Sequence, residues 1–318
     1  YTYLLPDIAY HLDKFRRSRL PSGAPYSQIV NIWGADHHGY VARMRAALIA
    51  LGILASPETS TEPSTETPRF EVLLGQLVSL KIDGESTRMG KRKKMLTLQD
   101  LVDTVGTDAT RYWMVMRSAD SQLEFDVALA TKQSDDNPVF YAQYAHARCC
   151  GILRAATQPS INIATQTETK PQVKPEVFET YLSTLTPEKL VSNLFAPLTP
   201  PKTINAVEAA STDEAQNATT TQQANQATEA TQKVLRQLVL KLDALDDCLS
   251  SAAETMAPHH VPQYISQLAS NFHGFYAHCR VLTDEADVTL ARLALVTLVA
   301  RVLARALDVI GVHAPERM

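Results

Sequence analysis

Between Ile29 and Leu51 the spacing of apolar residues changes period. Ile29, Val30, Ile32 and Trp33 make a short β-prone run, and Gly34 interrupts it. Val41, Met44, Ala47, Leu48 and Leu51 then recur on one helical face, with Arg43 and Arg45 off it. Asp36, His37 and His38 fall between the two patterns. The order predicted is strand, polar turn, helix, which in an open α/β sheet places polar groups outside the carboxyl end of the strand, where ligands bind. Asp36 can bond a ribose diol, and a neutral imidazole can bond or stack on a ligand. The same residues equally suit a solvated connection.

The rest of the chain reads around this unit. Residues 2–19 predict an extended start, a break at Pro6-Asp7 and a helix with Ile8, His11, Leu12 and Phe15 on one face; Pro in the first turn and Asp near the positive end of the dipole favour it. Residues 70–82 return to a β pattern, and Asp83-Gly84 predicts a two-residue hairpin. Residues 97–118 are helical in pattern, with Thr107 or Asp108 as a candidate cap. Asn137-Pro138 marks a boundary, because the residue before proline is pushed out of the α region. Beyond it the period is helical throughout: 139–156, 234–257, 264–279 and 289–310, the last ended by Gly311 and Pro315. In that last helix Thr297, Arg301, Arg305 and Asp308 share a stripe, while Arg292 falls on the apolar side and calls for a carboxylate partner or a second surface. Three stretches lack a helical or strand period. Residues 56–68 contain nothing apolar, 157–174 are Thr- and Gln-rich, and 197–232 are of low complexity, expected disordered or at best weakly helical. The class is therefore α/β plus all-α.

Composition narrows the function classes. The formal net charge of −4 gives no global attraction to nucleic acid, so any such binding must use local patches. One exists: from Lys81 to Lys94 there are six positive and two negative side chains. The most apolar run, 290–312, is interrupted by Arg292, Arg301, Arg305 and Asp308 and does not read as a membrane span. Cys149, Cys150, Cys248 and Cys279 have the spacing of neither a disulfide framework nor a zinc site, which suits a reducing cytoplasm. The chain reads as mid-domain from Tyr1 onward, so an N-terminal portion of a longer protein is expected to precede it.

Three stretches together resemble one family. They are TYLLPDIAYHLDKF with WGADHHGYVARMRAAL; MGKRKKMLTLQDLVDTVGTDATRYWMVMRSADSQLEFD; and DDNPVFYAQYAHARCCGILR with the closing LARLALV and GVHAPERM. They resemble the arginyl-tRNA synthetases, of class I of the aminoacyl-tRNA synthetases. The resemblance implies that residues 1–136 form the C-terminal part of a Rossmann-type catalytic domain, with a polar insertion at 56–68. It implies that 137–318 form a helical-bundle anticodon-binding domain, with insertions at 157–174 and 197–232. The implied activity is ATP-dependent formation of arginyl-adenylate and transfer of arginine to the 3′ end of its tRNA.

The resemblance also assigns residues. Tyr3 and Asp7 would grip arginine, with His37 between the two substrates; a carboxylate is the natural partner of a guanidinium fork. Gly34, Asp36 and His38 would face ATP. The segment Met89 to Lys94 resembles the second class I signature, with Gly90 where the family usually has Ser and Lys94 where it usually has Gly. Lys91 and Arg92 would meet charge developing on phosphate. Tyr141, Tyr144, His146, Arg148 and the terminal Met318 would meet tRNA, by stacking on unpaired bases and pairing with phosphate. The implied small partners are L-arginine and ATP with its Mg2+, with no protein-bound metal, no membrane and a monomeric state. The first class I signature, His-x-Gly-His, does not occur in these residues, so this chain alone is expected to be inactive. Two alternatives stand: a catalytically silent tRNA-binding module, and a cysteinyl-type enzyme. The latter needs zinc-ligating cysteines in the α/β part, where none precedes Cys149.

Overall fold

The computed structural model describes residues 3–55, 69–82, 84–88, 97–162, 167–169, 171–195 and 214–318. The chain forms two compact units, Tyr1–Met95 with Arg117–Phe125, and Leu96–Met116 with Asp126–Met318.

The first unit begins with helix α1, Leu4–Arg17. The helix starts at Leu4, so Pro6 and Asp7 sit inside its first turn, where the missing proline N–H costs nothing. Strand β1, Gln28–Gly34, leads through a short 3-10 turn, Ala35–His37, into α2, His38–Ala50, and β2, Arg69–Gly75, returns parallel to β1. The predicted strand–turn–helix is thus a βαβ unit, with Gly34 opposite Gly75 at the carboxyl ends. Ile29, Met44, Leu48 and Phe70 form its core, against which Leu4, Ile8, Phe15, Trp33 and Val72 pack. A second sheet has the order β4-β3-β5, from β3, Val78–Ile82, β4, Glu85–Arg88, and β5, Leu123–Asp126. Ile82 faces Glu85 in the antiparallel β3–β4 register, which is the predicted two-residue connection. Gly84 takes φ +84°, the sign that such a turn requires.

The second unit is helical apart from one ribbon. Helices α3, Leu98–Val105, and α4, Thr107–Val115, replace the single helix predicted over 97–118. Thr97 and Asp100 close a reciprocal capping box on α3, and Gly106, at φ +85°, separates the pair. Neither Thr107 nor Asp108 caps α4; Gly106 holds that position. Both helices belong to the helical unit, whereas composition placed the change of character at 137. The reason is packing: Tyr112 on α4 is fully buried, and its hydroxyl lies 3.0 Å from the Ser266 hydroxyl and 3.2 Å from the Pro262 carbonyl. After α5, Val127–Ala130, Asn137 caps α6, Pro138–Thr157, while its amide donates to the Ala130 and Lys132 carbonyls. The polar stretch after α6 contains a two-stranded ribbon, β6, Ser160–Asn162, and β7, Thr167–Thr169.

Then follow α7, Pro175–Ser183, α8, Pro187–Phe195, α9, Glu214–Asp243, α10, Leu245–Glu254, α11, His260–His278, and α12, Ala286–Val309. The helix predicted from Val234 therefore begins twenty residues earlier, at Glu214. Its added turns are rich in Ala and Gln, with weaker helix formers Thr and Asn between them, and extending an already docked helix costs far less than nucleating one. It also ends at Asp243, and α10 carries the remainder.

Helix α12 is the centre of this unit. It is buried from Val288 through Val296 without a break, and it packs against α6, α7, α8, α9 and α11. The buried stripe of α6 is made of small residues, Ala142, Ala145, Cys149 and Ala156, all at 0 % exposure. Of the stripe of four, Arg301, Arg305 and Asp308 are exposed and Thr297 is half-buried, and Arg305 pairs with Asp308 at 3.1 Å. Arg292 is buried but meets no carboxylate: its Nη1 donates to the Arg280 carbonyl at 2.6 Å, and its Nε has no partner. A guanidinium keeps its charge under any accessible condition, so a backbone carbonyl is a weak substitute for the expected carboxylate.

Burial pushes the Tyr112 phenol up to about 12. Tyr264, whose hydroxyl donates to the Lys241 carbonyl, is pushed up as well. A phenol that holds its proton longer when folded contributes stability below its unfolded value near 10, and that contribution is lost as pH rises toward the folded value. Tyr112→Phe should therefore flatten the fall of stability between pH 10 and 12 by up to about 1.4 kcal/mol per pH unit. At neutral pH it should cost about 0.5–1.5 kcal/mol for the lost bond. Urea titrations at pH 7 and across 9–11.5 measure both.

Candidate functional site

Two sites carry the assigned residues, one in each unit. In the first, the opening turn of α1 and the carboxyl end of β1 meet around a cavity of about 430 Å3 lined by Tyr3, Pro6, Asp7, Trp33, His37 and Tyr40. The local sequence explains the arrangement. Tyr3 and Asp7, four apart, share one face of α1, and the 3-10 turn after Gly34 brings His37 round to them. Of the residues assigned to arginine, all three, Tyr3, Asp7 and His37, lie in this cavity. Tyr3 is 88 % exposed and has no packing role to explain it. Trp33 and Tyr40 complete the walls; in the sequence they pass for an ordinary strand residue and an ordinary helix residue. The signal was there only as two aromatics flanking a glycine and three polar residues.

The residues assigned to ATP are less concentrated. Asp36 lies 3.7 Å from the His37 ring, and its carboxylate sits over Gly34, where a Cβ would meet it at 2.5 Å. His38 Nδ1 lies 3.1 Å from the Ala35 carbonyl oxygen, and the ring is absent from the cavity lining. Met89, Lys91 and Arg92, with Gly90 and Lys94, lie outside the described residues, as does the insertion at 56–68. Among the described residues no group of three or more His, Cys, Asp or Glu could hold a metal ion, and no helix is long and apolar enough to cross a membrane.

In the second unit Tyr144, Arg148, Arg154, Tyr276, Arg317 and Met318 line a groove of about 500 Å3. Arg148 donates from Nη1 to the Tyr144 hydroxyl at 2.6 Å, and its guanidinium carbon lies 4.3 Å above the Tyr276 ring. Its Nε has no partner. Tyr141 and Tyr144 contact the His273 ring at 4.9 and 6.0 Å, and burial, followed by the charge on Arg148, lowers the His273 pKa. Tyr144, Arg148 and Met318 thus come together, and Tyr141 stands beside them over His273.

His146 does not join them. It is 6 % exposed, and its Nδ1 lies 2.9 Å from the Pro315 carbonyl oxygen. Two residues after Tyr144, it falls on another side of α6, where it holds the chain end and does not line the groove. Gln143 and Arg154 act with it: Gln143 donates to the His313 carbonyl at 2.9 Å and Arg154 to the Glu316 carbonyl at 3.0 Å. Asp108 accepts the His313 N–H at 3.1 Å and a Gln143 amide N–H at 2.8 Å. Residues 143, 146 and 154 of one helix therefore pin residues 313–316 and present Arg317 and Met318 at the groove.

With this geometry in hand, relatives decide the family. The chain is 37 % identical over 319 residues to the arginine–tRNA ligase of Desulfovibrio desulfuricans, covering 100 % of itself and 44 % of that protein. It is 36 % identical over 318 residues to the arginine–tRNA ligase of Moorella thermoacetica, covering 100 % and 43 %. The chain belongs to the arginyl-tRNA synthetase family. It corresponds to the C-terminal part of these relatives and spans less than half of their length. Residues 202–318 match the family described as the DALR anticodon binding domain. A Campylobacter jejuni structure described as a candidate arginyl-tRNA synthetase superposes with TM-score 0.62 at 27 % identity, covering 100 % of this chain and 52 % of that one. The arginyl-tRNA synthetase of Thermus thermophilus shares the fold, with TM-score 0.57 at 22 % identity and coverage of 100 % and 49 %.

The tail's fastening is testable. Asp108→Ala and His146→Phe each remove a bond to residues 313–316 without touching the groove. Each should speed amide exchange across those residues and cost about 0.5–3 kcal/mol of stability. Hydrogen-exchange mass spectrometry of the C-terminal peptide reads the first effect, and chemical denaturation the second.

Proposed function

We propose that this chain works as part of an arginine–tRNA ligase, a cytoplasmic enzyme that converts arginine and ATP to arginyl-adenylate and pyrophosphate and then transfers the arginyl group to the terminal ribose of its tRNA, releasing AMP. The observation that carries the reading is the cavity between α1 and β1. A carboxylate, a phenol and an imidazole converge there, between aromatic walls, in a volume of about 430 Å3 that accommodates a long-chain amino acid. The guanidinium of arginine is a planar cation with a fork of donors; Asp7 offers two acceptor oxygens, and Trp33, Tyr3 and Tyr40 offer ring faces. Asp36, beside Gly34 at the carboxyl end of β1, is the group for the nucleoside ribose. Lys91 and Arg92 would then face the phosphates of ATP, which enters with its Mg2+.

The helical unit supplies the tRNA contact in this reading. Arg148, held flat between Tyr144 and Tyr276, pairs a charge for phosphate with rings on which unpaired bases stack. Neither step needs an acid/base pair: adenylate formation and acyl transfer are served by orientation and by charge placed where charge develops.

The two sites are separable by kinetics in the full-length protein. Asp7→Ala should raise KM for arginine tenfold or more, since a charge-assisted bond is worth about 1.5–3 kcal/mol, and should leave KM for tRNA in place. Arg148→Ala should raise KM for tRNA, reduce the salt slope of tRNA binding by about one, and leave KM for arginine in place. Aminoacylation assays with arginine and tRNA varied separately decide both. Filter binding of tRNA by a full-length protein that charges nothing would instead assign it to binding alone.

A further inference from the structure

Beneath the arginine cavity lies a line of polar side chains that the proposed reaction does not use. Lys14 Nζ donates to Asn31 Oδ1 at 2.5 Å, the Asn31 amide nitrogen meets His11 Nε2, and His11 Nδ1 lies 2.7 Å from the Asp7 carbonyl oxygen. His11 is 3 % exposed and Asn31 7 %. An apolar residue at either position would be the ordinary choice between a helix and the core-facing side of a strand.

The donors and acceptors admit one arrangement. An ammonium can only donate, so Asn31 Oδ1 accepts. The Asn31 nitrogen then faces His11 and donates, so Nε2 carries no proton. The neutral ring holds its proton on Nδ1 and gives it to the Asp7 carbonyl. The chain runs in one direction, from the Lys14 ammonium to a backbone oxygen in the first turn of α1. Turning the amide or moving the imidazole proton sets donor against donor at buried positions, where water cannot compensate.

We propose that His11 and Asn31, with Lys14 as the anchor, are positioning residues for arginine, a role that rests on reading the α1–β1 cavity as the arginine site. Hydrophobic packing would hold α1 against β1 without choosing its axial position closely. This chain closes at one position only, because sliding a helix by one residue displaces it by about 1.5 Å, beyond the reach of the two bonds that join α1 to Asn31, while the His11–Asp7 bond ties the ring to its own helix. That position sets where Tyr3 and Asp7 stand relative to His37. The His11 ring also lies edge-on to Trp33, a wall of the cavity, with centroids 6.2 Å apart, and edge-on to Phe70 in the core at 5.7 Å. One side chain thereby fixes the carbonyl of one cavity residue and the ring of another. A site that must hold its groups within about half an ångström needs such support.

The test uses the full-length protein and three single variants with one double. His11→Phe keeps a ring and cuts the chain in the middle. Lys14→Met removes the anchor at its half-exposed end and frees the Asn31 amide to turn. His11→Phe should raise KM for arginine at least tenfold and Lys14→Met severalfold, with KM for ATP and for tRNA unchanged. The double variant should be no worse than His11→Phe alone, because both act through one chain. Asp7→Ala is the reference for the cavity itself. If Asp7→Ala raises the arginine KM and the two chain variants do not, the positioning role is overturned while the arginine site stands. If Asp7→Ala leaves it unchanged, the site reading fails and this role with it. Arginine and ATP constants rising together in Lys14→Met would mark a general loosening of the unit and also overturn the proposal. Should His11→Phe fail to fold, the Lys14→Met result decides alone.

Discussion

A helical segment buried on every side survives in water only if other elements surround it, and the first half of α12, Val288 to Val296, imposes that condition on the whole helical unit. Each of the leucines and valines buried along it is worth about 1.5–3 kcal/mol, but only while α6, α7, α8, α9 and α11 all stay in place. The groove depends on this arrangement indirectly. Helix α6 packs on α12 with its small-residue stripe, which turns Tyr144 and Arg148 to the outside. The chain leaving α12 turns at Gly311, where Arg111 donates from Nε to the Ile310 carbonyl at 3.0 Å, and runs back along α6. Both walls of the groove are therefore set by how one buried helix is enclosed.

The first unit rests on a different balance. Its apolar core is small, and its most specific contacts are polar. The bond from His11 to Asp7 is local, four residues apart, but the partner that orients His11 comes from a strand twenty residues on. A buried amide and imidazole contribute little net stability compared with well-packed hydrocarbon. What they add is discrimination between near-identical dockings of the same helix.

Local period made most elements legible. The strand–turn–helix at 29–51, the hairpin at 83–84, the boundary at Asn137-Pro138 and the polar stripe on α12 all follow from apolar spacing or from the backbone demands of Gly and Pro. The misreadings share a cause, which is that the deciding partner is far away in sequence. Nothing local says that Tyr112 bonds to the first turns of α11, so by composition 97–116 reads with the residues before it, while its contacts join it to the helices after it. His146 looked like one more polar group on an aromatic helix because Pro315 lies 169 residues downstream. Arg292 announced a buried charge, but a carbonyl in the partner position cannot be told from a carboxylate by sequence. Trp33 and Tyr40 satisfied the strand and helix patterns so well that only their flanking of a glycine and three polar residues pointed to the cavity. Tyr3, Asp7 and His37 came together as the family resemblance implied, and spacing alone would have left them as a capped helix and a loop.

The small residues along α6 have a consequence for how this protein can change. Alanine and cysteine at 142, 145, 149 and 156 are fully buried in α6, which packs against α11 and α12, and the same helix carries Tyr144 and fastens the segment that ends at Met318. A methyl group added to that inner stripe would show itself on the outer surface, as a groove of altered width, at residues that never touch the substitution. Drift in this family member is thus constrained in the interior of α6 as well, and a screen that tests the proposed tRNA contact has reason to sample interior alanines as well as the exposed aromatics.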